Sequence, residues 1–91
     1  MTVAAIIRQK LTDAFAPVEL VVEDDSARHA GHSGARPGGE THFNVKIVST
    51  VFAGVSRVER QRRVYTALAA EMDAPVHALA LTTLTPEEAA R

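Results

Sequence analysis

The sequence predicts an α+β domain, a three-stranded mixed sheet with helices packed on one face, in the order α-β-β-α-β. Three observations predict it. Apolar residues recur at helical spacing over residues 3–15 and again over residues 58–72. Short runs with strand character lie between and after these stretches, and residues 43–48 alternate most cleanly. No run reaches 18 apolar residues, so the apolar stripes must cover one another and not lipid.

Thr2 is placed to cap a first helix. Val3, Ile6, Ile7, Leu11 and Phe15 follow at spacings of three and four and share a face, while Arg8, Lys10, Thr12 and Asp13 fall elsewhere. Pro17 ends this helix, because the residue before a proline is pushed out of the α region. Val18–Glu23 reads as a strand with Val18, Leu20 and Val22 on one side. Residues 26–41 have no useful periodicity and hold four of the five glycines and two of the four histidines. A loop this long in a compact domain is more often functional or mobile than idle.

Phe43–Val48 reads as the second strand, antiparallel to the first, with Phe43, Val45 and Ile47 on one side and Asn44 and Lys46 on the other. Phe52–Gly54 reads as a turn. Ser56 and Glu59 have capping-box spacing and open a long helix to about Met72. At 100° per residue, Val58, Val64, Tyr65, Leu68, Ala69 and Met72 share one face, with Gln61 near its middle. Glu59, Arg60 and Arg63 lie opposite. Ala74–Pro75 breaks the helix, and Val76–Leu81 reads as a third strand, apolar on both sides and therefore expected at the centre of the sheet. Thr85 caps a short helical turn or tail over residues 85–91. The whole of residues 1–91 is read as one domain.

The formal net charge of -1 gives no global attraction to nucleic acid or anionic membrane. There is no cysteine, which removes disulfide and thiolate chemistry. Met1–Lys10 lacks the layout of a signal peptide, so a cytoplasmic location and no membrane association are expected.

The chemistry-bearing residues are few. His29 and His32 form a pair at ligand-like spacing within the glycine-rich loop. His42 closes that loop, and His77 opens the third strand. Neutral imidazole is a good ligand for zinc, copper, iron and nickel, but a structural zinc site wants four ligands, and none completes this set. Arg57, Arg60, Arg62 and Arg63 crowd the first turns of the second helix, where the macrodipole disfavours cations; a phosphate- or carboxylate-bearing partner fits them. No nucleophile elbow and no phosphate-binding glycine motif is present, and a short chain has little room for a deep pocket. A binding protein is expected, and not an enzyme.

From about Ile6 to Glu88 the sequence resembles the BolA family. The resemblance rests on Asp25-Ser26-Ala27-Arg28-His29-Ala30-Gly31-His32, Glu40-Thr41-His42-Phe43, Val48-Ser49 and Phe52-x-Gly54-x-Ser56. It continues through Glu59-Arg60-Gln61-Arg62-x-Val64-Tyr65 and Val76-His77-Ala78-Leu79-Ala80-Leu81, in order and at the right spacing. The resemblance implies a fold similar to class II KH domains. It implies a monothiol glutaredoxin partner and a [2Fe-2S] cluster shared with that partner and glutathione, in iron–sulfur trafficking or iron regulation. The isolated chain is then expected to be a monomer without the cluster.

By the same resemblance His77 matches the family's ligand position in the third strand. The second ligand comes from the loop. Without cysteine it is His29, His32 or His42, with His29 preferred. Imidazole in place of thiolate raises a cluster's potential and makes ligation sensitive to pH. The family usually carries Arg-His-Arg where this chain has Arg60-Gln61-Arg62, and the KH Gly-x-x-Gly is missing. Some members are described as DNA-binding transcriptional regulators, a role that would use Arg57, Arg60 and Arg63. A plain interaction module without metal is the third reading.

Overall fold

In the computed structural model, residues 2–24, 42–73, 76 and 78–91 are described. The elements are α1 (Val3–Phe15), β1 (Glu19–Asp24), β2 (His42–Val48), a 3-10 turn (Thr50–Phe52), α2 (Arg57–Ala67), α3 (Ala69–Asp73), β3 (Ala78–Leu84) and α4 (Pro86–Ala89). The expected α+β order is observed. The sheet is mixed: β2 is central, antiparallel to β1 and parallel to β3.

Burial alternates along β2 as the sequence requires until its last residue, Val48, which is buried next to Ile47. Phe43, Val45 and Ile47 are buried, and the register sets Leu20 beside Ile47, Val22 beside Val45, Leu79 beside Phe43 and Leu81 beside Val45. This face meets Ile7, Leu11 and Phe15 of α1, Val64 of α2 and Leu68 in one core, with Phe52 and Val76 inside it. The opposite face carries Glu19, Val21, Glu23, Asn44, Lys46 and Thr82 around an open groove. Lys46 and Glu19 pair across it at 3.0 Å.

Local signals set the ends of the elements. The Thr2 side chain accepts from the Ala5 N–H at 3.1 Å. Ala16, immediately before Pro17, leaves the helix in the left-handed region at φ 43°, and its N–H still bonds to Thr12. The buried Ser49 hydroxyl donates to the Phe15 carbonyl at 2.6 Å, satisfying one acceptor that α1 leaves open at its end. The same oxygen accepts from the Val51 N–H at 3.2 Å and starts the 3-10 turn. Gly54 has φ 74°, which a Cβ disfavours, where the chain turns toward α2.

Four expectations are corrected. The long helix is two segments, α2 and α3, broken at Leu68, though the Met72 N–H still bonds to the Leu68 carbonyl at 2.9 Å. The third strand spans residues 78–84 and lies at the edge of the sheet. Its small residues Ala78 and Ala80 look apolar in sequence, yet they are exposed on the outer face. Val18, expected on the inner side of the first strand, precedes β1 and is 68% exposed. The buried face of α2 is also rotated. Arg60, Val64 and Leu68 form it at i, i+4 and i+8, whereas Gln61 and Val58 are exposed. The expected face counts Val58, Tyr65 and Ala69 as core, and all three are exposed.

Candidate functional site

The topology gathers one set of chain ends. Antiparallel β1 finishes at Asp24, next to Phe43, while parallel β2 and β3 start together at His42 and Ala78. The segment carrying His29 and His32 therefore leaves and re-enters the sheet at the end where β3 begins. His42 is half-buried; alternation from buried Phe43 puts it on the helix-free face. His29, His32 and His77 lie outside the described residues. Of the two residues flanking His77, Val76 is buried in the core and Ala78 is the register partner of His42.

The chain has no cysteine, so this end offers no thiolate; its described residues with ligand chemistry are Asp24 at the end of β1 and His42 at the start of β2. Among the described residues no three His, Asp or Glu side chains stand together as a metal site. Neutral imidazole is a ligand for iron, zinc and copper, and of the four histidines His42 is the one among the described residues.

The arginines separate into two groups. Arg57, Arg62 and Arg63 are exposed, with Arg63 bonded to Glu59 at 3.3 Å and Arg62 3.9 Å from the same carboxylate. Arg60, expected on the solvated side, is 5% exposed. Its Nε donates to the Val55 carbonyl at 2.8 Å, and Nη1 donates to the Thr83 carbonyl at 3.0 Å and to Glu88 at 2.7 Å. Its guanidinium lies 5.6 Å from the Phe52 ring centre. Arg60 thus ties the start of α2 to the end of β3 and to α4, and is not part of an exposed basic patch. Its spacing from Val64 and Leu68 was the one sequence sign of this role.

Glu88 also accepts from the Thr85 N–H at 2.8 Å, and the Thr85 hydroxyl accepts from the Glu88 N–H at 3.1 Å, a reciprocal capping box. The bond from Arg60, reinforced by that from Thr85, holds the Glu88 carboxyl down from its ordinary 4.5 to about 2. A carboxylate lowered in the folded state stabilises it fully above the unfolded value and progressively less as pH falls toward the folded one. The stability difference between the wild type and Glu88→Gln is therefore expected to be largest above pH 4.5 and to shrink toward pH 2. Urea unfolding at several pH values measures it; a difference that stays constant over this window contradicts the pairing.

The comparisons with known proteins agree with this architecture. The family model described as BolA-like protein matches residues 11–88. Protein BOLA1, chloroplastic, of Arabidopsis thaliana is 51% identical over 87 residues, covering 93% of this chain and 54% of that protein. This chain thus spans about half the length of that relative. A protein of Haemophilus influenzae named DNA-binding transcriptional regulator BolA is 41% identical over 88 residues, covering 97% of this chain and 82% of that one. The solved structure of BolA1 from Arabidopsis thaliana superposes with a TM-score of 0.86 at 48% identity, covering 97% of this chain and 96% of that chain. With the family model over most of the chain and a full-length structural match, this chain belongs to the BolA family.

Proposed function

We propose that this chain is a non-enzymatic adaptor that pairs with a monothiol glutaredoxin and supplies histidine to a shared [2Fe-2S] cluster, in iron–sulfur trafficking or iron regulation. The observation that supports it best is the common sheet end. The loop bearing His29 and His32, the start of β2 at His42 and the start of β3 after His77 all belong to it. His77, which directly precedes β3 in sequence, is one ligand, and one of the loop histidines, His29 before His32 or His42, is the second. The glutaredoxin cysteine and a glutathione thiol complete the set. When bound, the cluster supplies one-electron redox chemistry and transferable iron and sulfur. The protein's part is to hold neutral imidazole at a fixed edge, which acid opposes because a protonated ring cannot ligate.

The test is reconstitution of the pair with iron, sulfide and glutathione, using single alanine variants of His29, His32, His42 and His77. His77→Ala and one of the three loop variants are expected to lose or alter the visible absorption of the cluster, while the other two loop variants keep it. Unchanged spectra in all four variants would remove histidine ligation from the account.

A second reading, DNA binding, is favoured by the exposed Arg57 and Arg63 near the start of α2 and by the name of the Haemophilus relative. It predicts affinity that falls steeply with salt. Arg57→Ala or Arg63→Ala should weaken binding and lower the log–log salt slope by about 0.9 for each lost phosphate contact. No binding at low salt overturns this reading.

A further inference from the structure

The Arg60 clamp has the features of a binding site with an internal occupant. A cavity of about 440 Å³ opens beside it, lined by Arg60, Glu88, Thr50, Gly54, Thr85 and Arg91 among others. The guanidinium is positioned without α4: the Val55 and Thr83 carbonyls fix two of its nitrogens, and its carbon lies over the Phe52 ring, 5.6 Å from the centre. What α4 adds is one carboxylate, Glu88, which takes Nη1 at 2.7 Å, Nη2 at 3.4 Å and the Thr85 N–H at 2.8 Å. Those three donors converge on the place a carboxylate fills, and planar two-point contact is what guanidinium offers to carboxylates. Yet α4 spans only four residues and buries none of them. Little apolar surface holds it down, so its release is a low-cost local opening.

We propose that the pocket at Arg60 is a carboxylate-binding site for which Glu88 of α4 is the resident ligand, exchangeable for a carboxylate from outside. Binding releases α4 and replaces its ion pair with an equivalent one, so the buried guanidinium is never left without a counter-charge. The ligand is a small carboxylic acid or an acidic peptide side chain. Arg91 and Glu87 stand at the pocket wall and are 3.4 Å from each other.

The test uses Glu88→Ala, which removes the resident carboxylate and keeps the backbone N–H that Thr85 caps. Sodium formate and a short glutamate-containing peptide are titrated against it, with sodium chloride at equal ionic strength as control. The Arg60 Nε–H resonance is expected to shift saturably with formate, and the melting temperature to rise with the logarithm of its concentration beyond the midpoint. Chloride should do neither. Response to formate alone assigns a small acid, and response to the peptide as well assigns an acidic segment. In the wild type, the same ligands should speed amide exchange at Ala89 and Ala90, whose N–H groups bond within α4 and its cap. This wild-type measurement also stands if Glu88→Ala does not fold. No saturable shift in a folded Glu88→Ala, or an equal response to chloride, overturns the proposal; so does unchanged wild-type exchange where that variant does not fold.

Discussion

Arg60→Met is expected to lower the free energy of unfolding by about 3 kcal/mol. Methionine keeps most of the apolar stem and its volume but removes the fork. The Thr83 carbonyl, in a residue only 7% exposed, then loses its side-chain donor, and so does the Val55 carbonyl. A buried acceptor left unpaired costs about 1–3 kcal/mol, which applies in full to Thr83 and less to the half-buried Val55. The Glu88 carboxylate loses the larger of the two partners that lower its pKa and keeps Thr85, so the acid dependence described above should shrink. Arg60→Lys should recover only part of the loss, because one ammonium cannot meet two carbonyls and a carboxylate in the same geometry. Urea unfolding with an unchanged slope measures the effect. A change below about 0.5 kcal/mol would mean that Arg60 behaves as a surface residue.

Phe52→Ala is expected to cost about 4 kcal/mol. The ring is fully buried, 5.3 Å from the Phe15 ring centre and tilted 41° to it, with the Arg60 guanidinium carbon 5.6 Å from its own centre. It sits in a three-residue turn that joins β2 to α2, so the hole falls where three elements meet. A short domain has little stability in reserve, and in one of this size the loss lowers the melting temperature by roughly 15 °C or more. Phe52 and Arg60 touch, so the double variant Phe52→Ala/Arg60→Met should lose less than the two single losses added together. Full additivity would show that the ring and the guanidinium are independent.

The fold was largely legible because its elements carry strong local signals. Alternation along Phe43–Val48 identified the buried face of β2, and the spacing of Ile7, Leu11 and Phe15 gave that of α1. Thr2, Ser56 and Thr85 cap the helices they precede. The failures share a cause. Projecting the apolar residues Val58, Val64, Tyr65, Leu68, Ala69 and Met72 puts Arg60 on the solvated side, though a guanidinium with two carbonyls and a carboxylate can be buried. Ala78 and Ala80 make β3 look apolar on both sides and so central, though an alanine on an open sheet face needs no cover. Neither error shows in hydropathy, because each depends on what stands opposite in space. For the histidines, the resemblance supplied the roles. The register adds that His42 and Ala78 begin adjacent strands at one end of the sheet.

The central claim is that this chain's imidazoles ligate a shared cluster, and labelling only this chain tests it most directly. The protein is prepared with ¹⁵N-histidine, paired with unlabelled monothiol glutaredoxin, reconstituted with iron, sulfide and glutathione, and reduced. Pulsed electron paramagnetic resonance then reads the nitrogens coupled to the cluster. The account predicts strongly coupled ¹⁵N in place of ¹⁴N, lost in part on His77→Ala. Couplings that do not respond to the label, in a pair that holds the cluster, would contradict it.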